Sequence, residues 1–324
     1  MDHSTKLQKT SGYSGFKREP LGQPRRLGRG FCLRVRELRA YLLLAPAAAI
    51  FTVFMFYPLA YTVYLSFFDW NMTRPVKKFV GLANYISIFT DQSFGKIMGN
   101  TLLYIVLLLV MDFVAPYIFS FVLSFVVKKG KSFFKSAIFL PSVISLVVGT
   151  MIFVWLLNPL SGPAASLAKA LGLSVPIWSN TQGLVIVVIS VITSWKIFGY
   201  NFIVVLAGVS SVPLEVVEAA RVDKIPTWRI FWNIVVPMSS STGIYVLILS
   251  IVTGMQQVFT PINMVTRGGP DNASTNLVYA VYDQAFGFFK TGTASAYAIL
   301  IMILFAFLLF LEFKYVEKGV YYEN

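Results

Sequence analysis

Two charged side chains lie deep inside strongly apolar stretches, Asp112 in the run 101–127 and Lys196 in the run 184–209. A charge taken out of water is costly unless it is paired or used, which makes both functional candidates. Counted from the outer ends of their runs they lie 11 and 12 residues in, a matched depth of about 17 Å that would allow an ion pair. Thr193, Lys196 and Tyr200 follow the i, i+3, i+7 spacing of one helical face, with Asn201 beside them. Ser250, Gly254 and Gln257 repeat such a stripe on the next run. Hydroxyl, amide and cationic donors beside an aromatic ring are what a carbohydrate requires. Small and polar stripes also serve helix packing, the favoured reading for Ser250 and Gly254. A lysine among sugar-type donors points to an acidic saccharide, although Asp112 or water could also satisfy its charge.

Between these apolar runs stands a polar, helix-forming insert, Glu218-Ala219-Ala220-Arg221-Val222-Asp223-Lys224. Ser210 and Ser211 are candidate caps, Pro213 suits a first turn, and Glu215 and Glu218 lie toward the positive end of the helix dipole. Pro226-Thr227 opens a second short helix leading to Ile234 and Pro237. In a membrane protein such an insert lies outside the bilayer and touches a partner.

Other chemistries are poorly supplied. One cysteine, Cys32, and one histidine, His3, leave no internal disulfide and no metal cluster. No paired carboxylates or nucleophile constellation suggest an enzyme, and Gly130-Lys131-Ser132 lacks the first glycine of a phosphate-cradling loop. No cofactor is expected on this chain.

The elements that must carry these residues are membrane helices. The chain is 56% hydrophobic and 13% charged, with mean hydropathy +0.71. Runs long enough to cross about 30 Å of hydrocarbon occur at 41–68, 101–127, 137–157, 184–209, 238–259 and 293–313, predicting an all-α protein with six transmembrane helices. With both termini cytoplasmic, 19 of the 27 Lys and Arg fall on the inner side, as the positive-inside rule requires. The net charge of +13 is therefore an orientation signal, and no nucleic-acid partner is expected. Residues 1–40 form a basic cytoplasmic tail with a helical stretch expected at 34–39. Residues 41–324 form the membrane domain, with a cytoplasmic loop at 210–236. Pro46, Pro58, Pro116 and Pro141 are expected to kink spans, and a short interfacial helix is expected at 164–171.

The Glu218 to Pro237 segment resembles the EAA coupling loop of ATP-binding-cassette importer permeases. The likeness extends through Tyr57-Pro58, Leu65-Ser66-Phe67-Phe68-Asp69-Trp70, Phe139-Leu140-Pro141, Thr266-Arg267-Gly268-Gly269-Pro270 and Leu277-Val278-Tyr279-Ala280. It points to carbohydrate importers of the maltose and glycerol-phosphate type, and within them to permeases of alginate importers. The resemblance implies the type I importer permease fold in a bacterial cytoplasmic (inner) membrane. It also implies a second homologous permease subunit, an extracytoplasmic solute-binding protein, and two ATPase subunits that supply ATP and Mg. Glu218, Ala219, Ala220, Asp223, Lys224, Ile234 and Pro237 would then couple to an ATPase, and sugar would bind on the spans flanking the loop. Neutral oligosaccharide and glycerol phosphate remain alternative substrates, and an ion-coupled secondary transporter using Asp112 and Lys196 as a relay is the rival class. One departure stands out: the family's glycine after the Asp is here Lys224, which would pay about 1 kcal/mol for a left-handed turn.

Overall fold

The computed structural model describes residues 41–315 apart from Arg74 and Val175. The basic tail with Cys32, His3 and the expected helix at 34–39 lies outside the described residues. The chain divides into two compact units, Met1–Pro58 and Leu59–Asn324. In the first, residues 41–58 are helical and exposed throughout. They open α1 (Tyr41–Leu65), apolar enough to cross a membrane.

In the second unit a short antiparallel ribbon, β1 (Phe68–Asp69) and β2 (Lys78–Phe79), pairs Phe68 with Phe79 and Asp69 with Lys78. α2 (Ala83–Thr90) leads into the long α3 (Gln92–Val126). The run expected as one straight span at 137–157 is broken. α4 (Lys131–Val143) and α5 (Leu146–Leu156) meet at 99°. The extended backbone at Ile144 and Ser145 stops the helix three residues after Pro141. The expected interfacial helix is α6 (Pro163–Ala170), with proline in its first turn. The remaining elements are α7 (Leu184–Ser210), α8 (Leu214–Val222), α9 (227–238), α10 (Ser240–Thr266), α11 (Leu277–Tyr282) and α12 (Thr291–Tyr315). Five helices cross by length and composition, and α4 with α5 makes a sixth span if the bent pair is taken as one.

The prolines bend the helices in a specific way. π-helical turns at Thr52–Phe56, Val110–Val114 and Phe231–Val235 each end two residues before a proline, Pro58, Pro116 and Pro237. The wider i to i+5 pairing lets the helix continue past a residue without an N–H.

α7 is the central post, with 15 of its residues buried. Lipid tails are as apolar as leucine, so close contact between small residues holds such helices together. A Cβ at Gly199 would lie 2.6 Å from the Ile138 carbonyl oxygen, one at Gly208 2.5 Å from Thr242 Oγ1, and one at Gly254 3.0 Å from Leu108 Cδ1. α7 is thus pressed against α4 and α10, and α10 against α3, at positions where an added methyl would meet its neighbour more closely than ordinary contact allows.

Candidate functional site: coupling loop and mid-span polar groups

The loop expected to couple to an ATPase folds as two short helices. α8 begins after Pro213, without a side-chain cap, and the expected capping serines lie too early in the chain. Ser210 closes α7, and Ser211 Oγ donates back to the Gly208 carbonyl at 2.8 Å. Val217 and Ala220 face inward and pack with Val209, Val212, Ile230, Phe231 and Val235. Glu218, Ala219, Asp223 and Lys224 are exposed, Ile234 and Pro237 half-buried. Leu214, Val216, Val222, Trp228 and Trp232 add exposed apolar surface at 38–80% of their full area. Such a surface on a short external helix pair is built to be covered.

Lys224 adopts φ +57°, the left-handed conformation that its usual glycine would favour. Its N–H donates to the Arg221 carbonyl and that of Ile225 to the Ala220 carbonyl, both at 3.0 Å. Together these bonds form a Schellman cap in which the strain of the lysine is retained. Arg221, missed as a contact residue, donates from Nη2 to the Phe125 carbonyl at 2.6 Å and ties α8 to the end of α3. A cation there also complements the negative end of the α3 dipole.

In mid-span, Asp112 and Lys196 do not meet. Asp112 is wholly buried in the π turn of α3, where Ser194 Oγ donates to its Oδ2 at 3.1 Å and its Oδ1 has no partner. Pro116, four residues on, cannot donate to the Asp112 carbonyl. Asn201 Nδ2 donates to it at 2.7 Å instead, and Ser250 Oγ, shared with the Val246 carbonyl at 2.7 Å, approaches it at 3.0 Å. Asn201 Nδ2 also donates to Ser250 Oγ at 3.0 Å, joining α3, α7 and α10. Lys196 points elsewhere because two residues of helix rotate it about 200° away from Ser194. Its Nζ donates to the Ile144 carbonyl at 2.7 Å and the Ser142 carbonyl at 3.2 Å, groups exposed by the elbow between α4 and α5. Ser142 Oγ returns a bond to the Lys196 carbonyl at 2.9 Å. The expected ion pair is thus replaced by a carbonyl-bound cation and a hydroxyl-bound carboxyl.

The residues expected to form a sugar-binding stripe are dispersed. Thr193 is buried and donates back to the Ile189 carbonyl at 2.8 Å, whereas Tyr200 is 47% exposed. Asn201 and Ser250 are fully buried in the network, Gly254 is a packing contact, and Gln257 is half-buried. Lys196, Tyr200 and Gln257 keep both accessibility and suitable chemistry.

On the opposite end of the spans, the loop after α10 docks on α3. Asn100 Nδ2 donates to the carbonyls of Asn272 at 2.8 Å, Thr275 at 3.0 Å and Ala273 at 3.3 Å, and Tyr104 donates to that of Ser274 at 3.1 Å. Lys96 and Asp271 form an ion pair at 3.0 Å.

Residues 117–321 match the model of the binding-protein-dependent transport system inner membrane component family. The chain belongs to that family. This permease is 29% identical over 287 residues to an sn-glycerol-3-phosphate transport system permease protein, UgpA, of Agrobacterium fabrum, covering 88% of the chain and 97% of the relative. It is 32% identical to the probable ABC transporter permease protein YurN of Bacillus subtilis, over 86% of the chain and 96% of the relative. Among solved structures it superposes with TM-score 0.75 on a chain of a bacterial ABC transporter involved in the import of the acidic polysaccharide alginate. That likeness covers 90% of the permease and 99% of the neighbour at 20% identity, and it bears on the fold. The fold is that of ABC importer permeases, the permease is an inner-membrane protein, and its relatives make it a transport subunit rather than an enzyme.

Proposed function

We propose that this permease pairs with a second homologous permease in an ATP-driven carbohydrate importer and that it carries an anionic saccharide, an acidic oligo- or polysaccharide such as alginate. Lys196 carries the reading. It is a half-buried mid-span cation with one N–H beyond its two carbonyl contacts, and among the described residues no carboxylate lies within ion-pair distance of it. A carboxylate on the sugar would supply the missing countercharge. The names of its relatives and neighbours point the same way, since glycerol 3-phosphate and alginate are both anions. In this reading two cytoplasmic ATPase subunits bind ATP and Mg and grip the exposed faces of α8 and α9. Their closure moves the loop around Glu218 and turns the spans from inward-open to outward-open, while an external binding protein releases sugar into the cavity.

The test is uptake by the assembled transporter with its binding protein. Lys196→Met should lower uptake of uronate oligosaccharides at least about tenfold, the worth of one charge-assisted contact, with basal ATPase activity retained. Lys196→Arg should restore much of the loss. Transport of neutral maltooligosaccharides with rejection of uronates would overturn the acidic substrate and leave the family assignment intact.

A further inference from the structure

On the coupling-loop end of the spans, a cavity of about 360 Å³ lies between the end of α3, the start of α4 and the junction of α7 with α8. Lys131 and Lys135, one helical turn apart, line one wall, and the hydroxyl-bearing Ser124, Ser210 and Ser211 line the others. None of the lining residues is acidic. Lys131 Nζ spends one of its donors on the Ser124 carbonyl at 2.8 Å, which fixes the ammonium at the cavity wall. Arg221, outside the lining, holds the carbonyl of the lining residue Phe125 at 2.6 Å. Ser124 Oγ and Ser210 Oγ approach to 3.3 Å, so the hydroxyls converge from two different helices.

We infer that this cavity binds a phosphate group, and that the phosphate belongs to the headgroup of an anionic phospholipid. Cations and hydroxyls converging without a carboxylate match a phosphodiester, which accepts hydrogen bonds and carries one negative charge. Two observations favour a lipid over free phosphate. The cavity lies where the apolar spans α3 and α7 end, and Phe133 and Phe134, between Lys131 and Lys135 on α4, expose 72% and 45% of their surface, available to acyl chains. Basic pockets between spans are a recurrent headgroup site. The wall formed by Ser211, Val212, Pro213 and Leu214 is the entry to the coupling helix, so an occupied site would brace α8 against α3 and α4.

The experiment measures phospholipid retained by the purified assembled transporter, by native mass spectrometry after extraction from nanodiscs of phosphatidylcholine with or without phosphatidylglycerol. Wild type should retain phosphatidylglycerol in preference to phosphatidylcholine, and Lys131→Gln with Lys135→Gln should weaken that retention by about fivefold per lysine. Lys128→Gln with Lys129→Gln removes the same charge from exposed positions outside the cavity and should leave retention largely intact. Ser210→Leu, which narrows the cavity without changing charge, should mimic the Lys131 and Lys135 changes. Equal loss in both lysine pairs would show diffuse surface attraction and overturn the site. Competition by inorganic phosphate, with no preference between the two lipids, would overturn the lipid assignment in favour of a free phosphate.

Discussion

Replacing Lys224 by glycine should stabilise the coupling loop, although it removes a charged side chain from an exposed position. The lysine backbone lies at φ +57°, where a Cβ crowds the following carbonyl and costs about 1–2 kcal/mol. Glycine escapes that cost but enlarges the unfolded ensemble by about 0.4–1 kcal/mol. The difference is a net gain of about 0.5–1 kcal/mol, roughly a two- to fivefold lower local opening constant. The strain sits on the cap of α8, so the amides that report it are those of Lys224 and Ile225, which donate to the Arg221 and Ala220 carbonyls. Hydrogen exchange of the permease in lipid should therefore slow by that factor over 220–226 in the glycine variant and leave α7 unchanged. Asparagine, which tolerates the left-handed region, should fall between lysine and glycine, and valine should exchange faster than either. Unchanged or faster exchange in the glycine variant, or equal exchange across all four residues, would refute the strain argument. It would mean that the side chain of Lys224 contributes more by its contacts than the backbone loses.

Other perturbations separate coupling from scaffold. Glu218→Lys reverses an exposed charge on α8 without touching a span, so the permease should still insert while substrate-stimulated ATPase activity and uptake collapse; wild-type values in proteoliposomes would remove the coupling assignment. Asp112→Asn and Lys196→Met should have additive effects on thermal stability to within about 0.5 kcal/mol, because the two side chains hold different partners; a larger coupling energy would show that they meet. Asn100→Ala frees three loop carbonyls at once, and should cost about 1–3 kcal/mol, read as loosened proteolytic protection of 266–276; a loop as resistant as wild type would show that the other contacts suffice.

Composition and run length reveal that α1, α3, α7, α10 and α12 are spans because hydrophobicity needs no knowledge of neighbours. Composition could not show the elbow at Ile144 and Ser145, since residues 137–157 read as one continuous apolar run. The groups that satisfy the elbow come from Lys196, 52 and 54 residues downstream. The same distance effect undid the expected pair. Equal depth brought Asp112 and Lys196 to one level, but azimuth decides contact: Ser194 and Asn201, seven residues apart, return to one face and take Asp112. The carbonyl orphaned by Pro116 was in principle legible, because proline always frees the acceptor about one turn before it. Its partners on two other helices were not. The left-handed turn at Lys224 was legible only through the family pattern, because the residue type argues against the conformation it adopts. A position where local preference loses to the fold marks a geometry that the rest of the loop over-determines. Here the buried pair Val217 and Ala220 on one side and Ile225 on the other fix α8 against α9, so the chain must turn at residue 224 whatever occupies it.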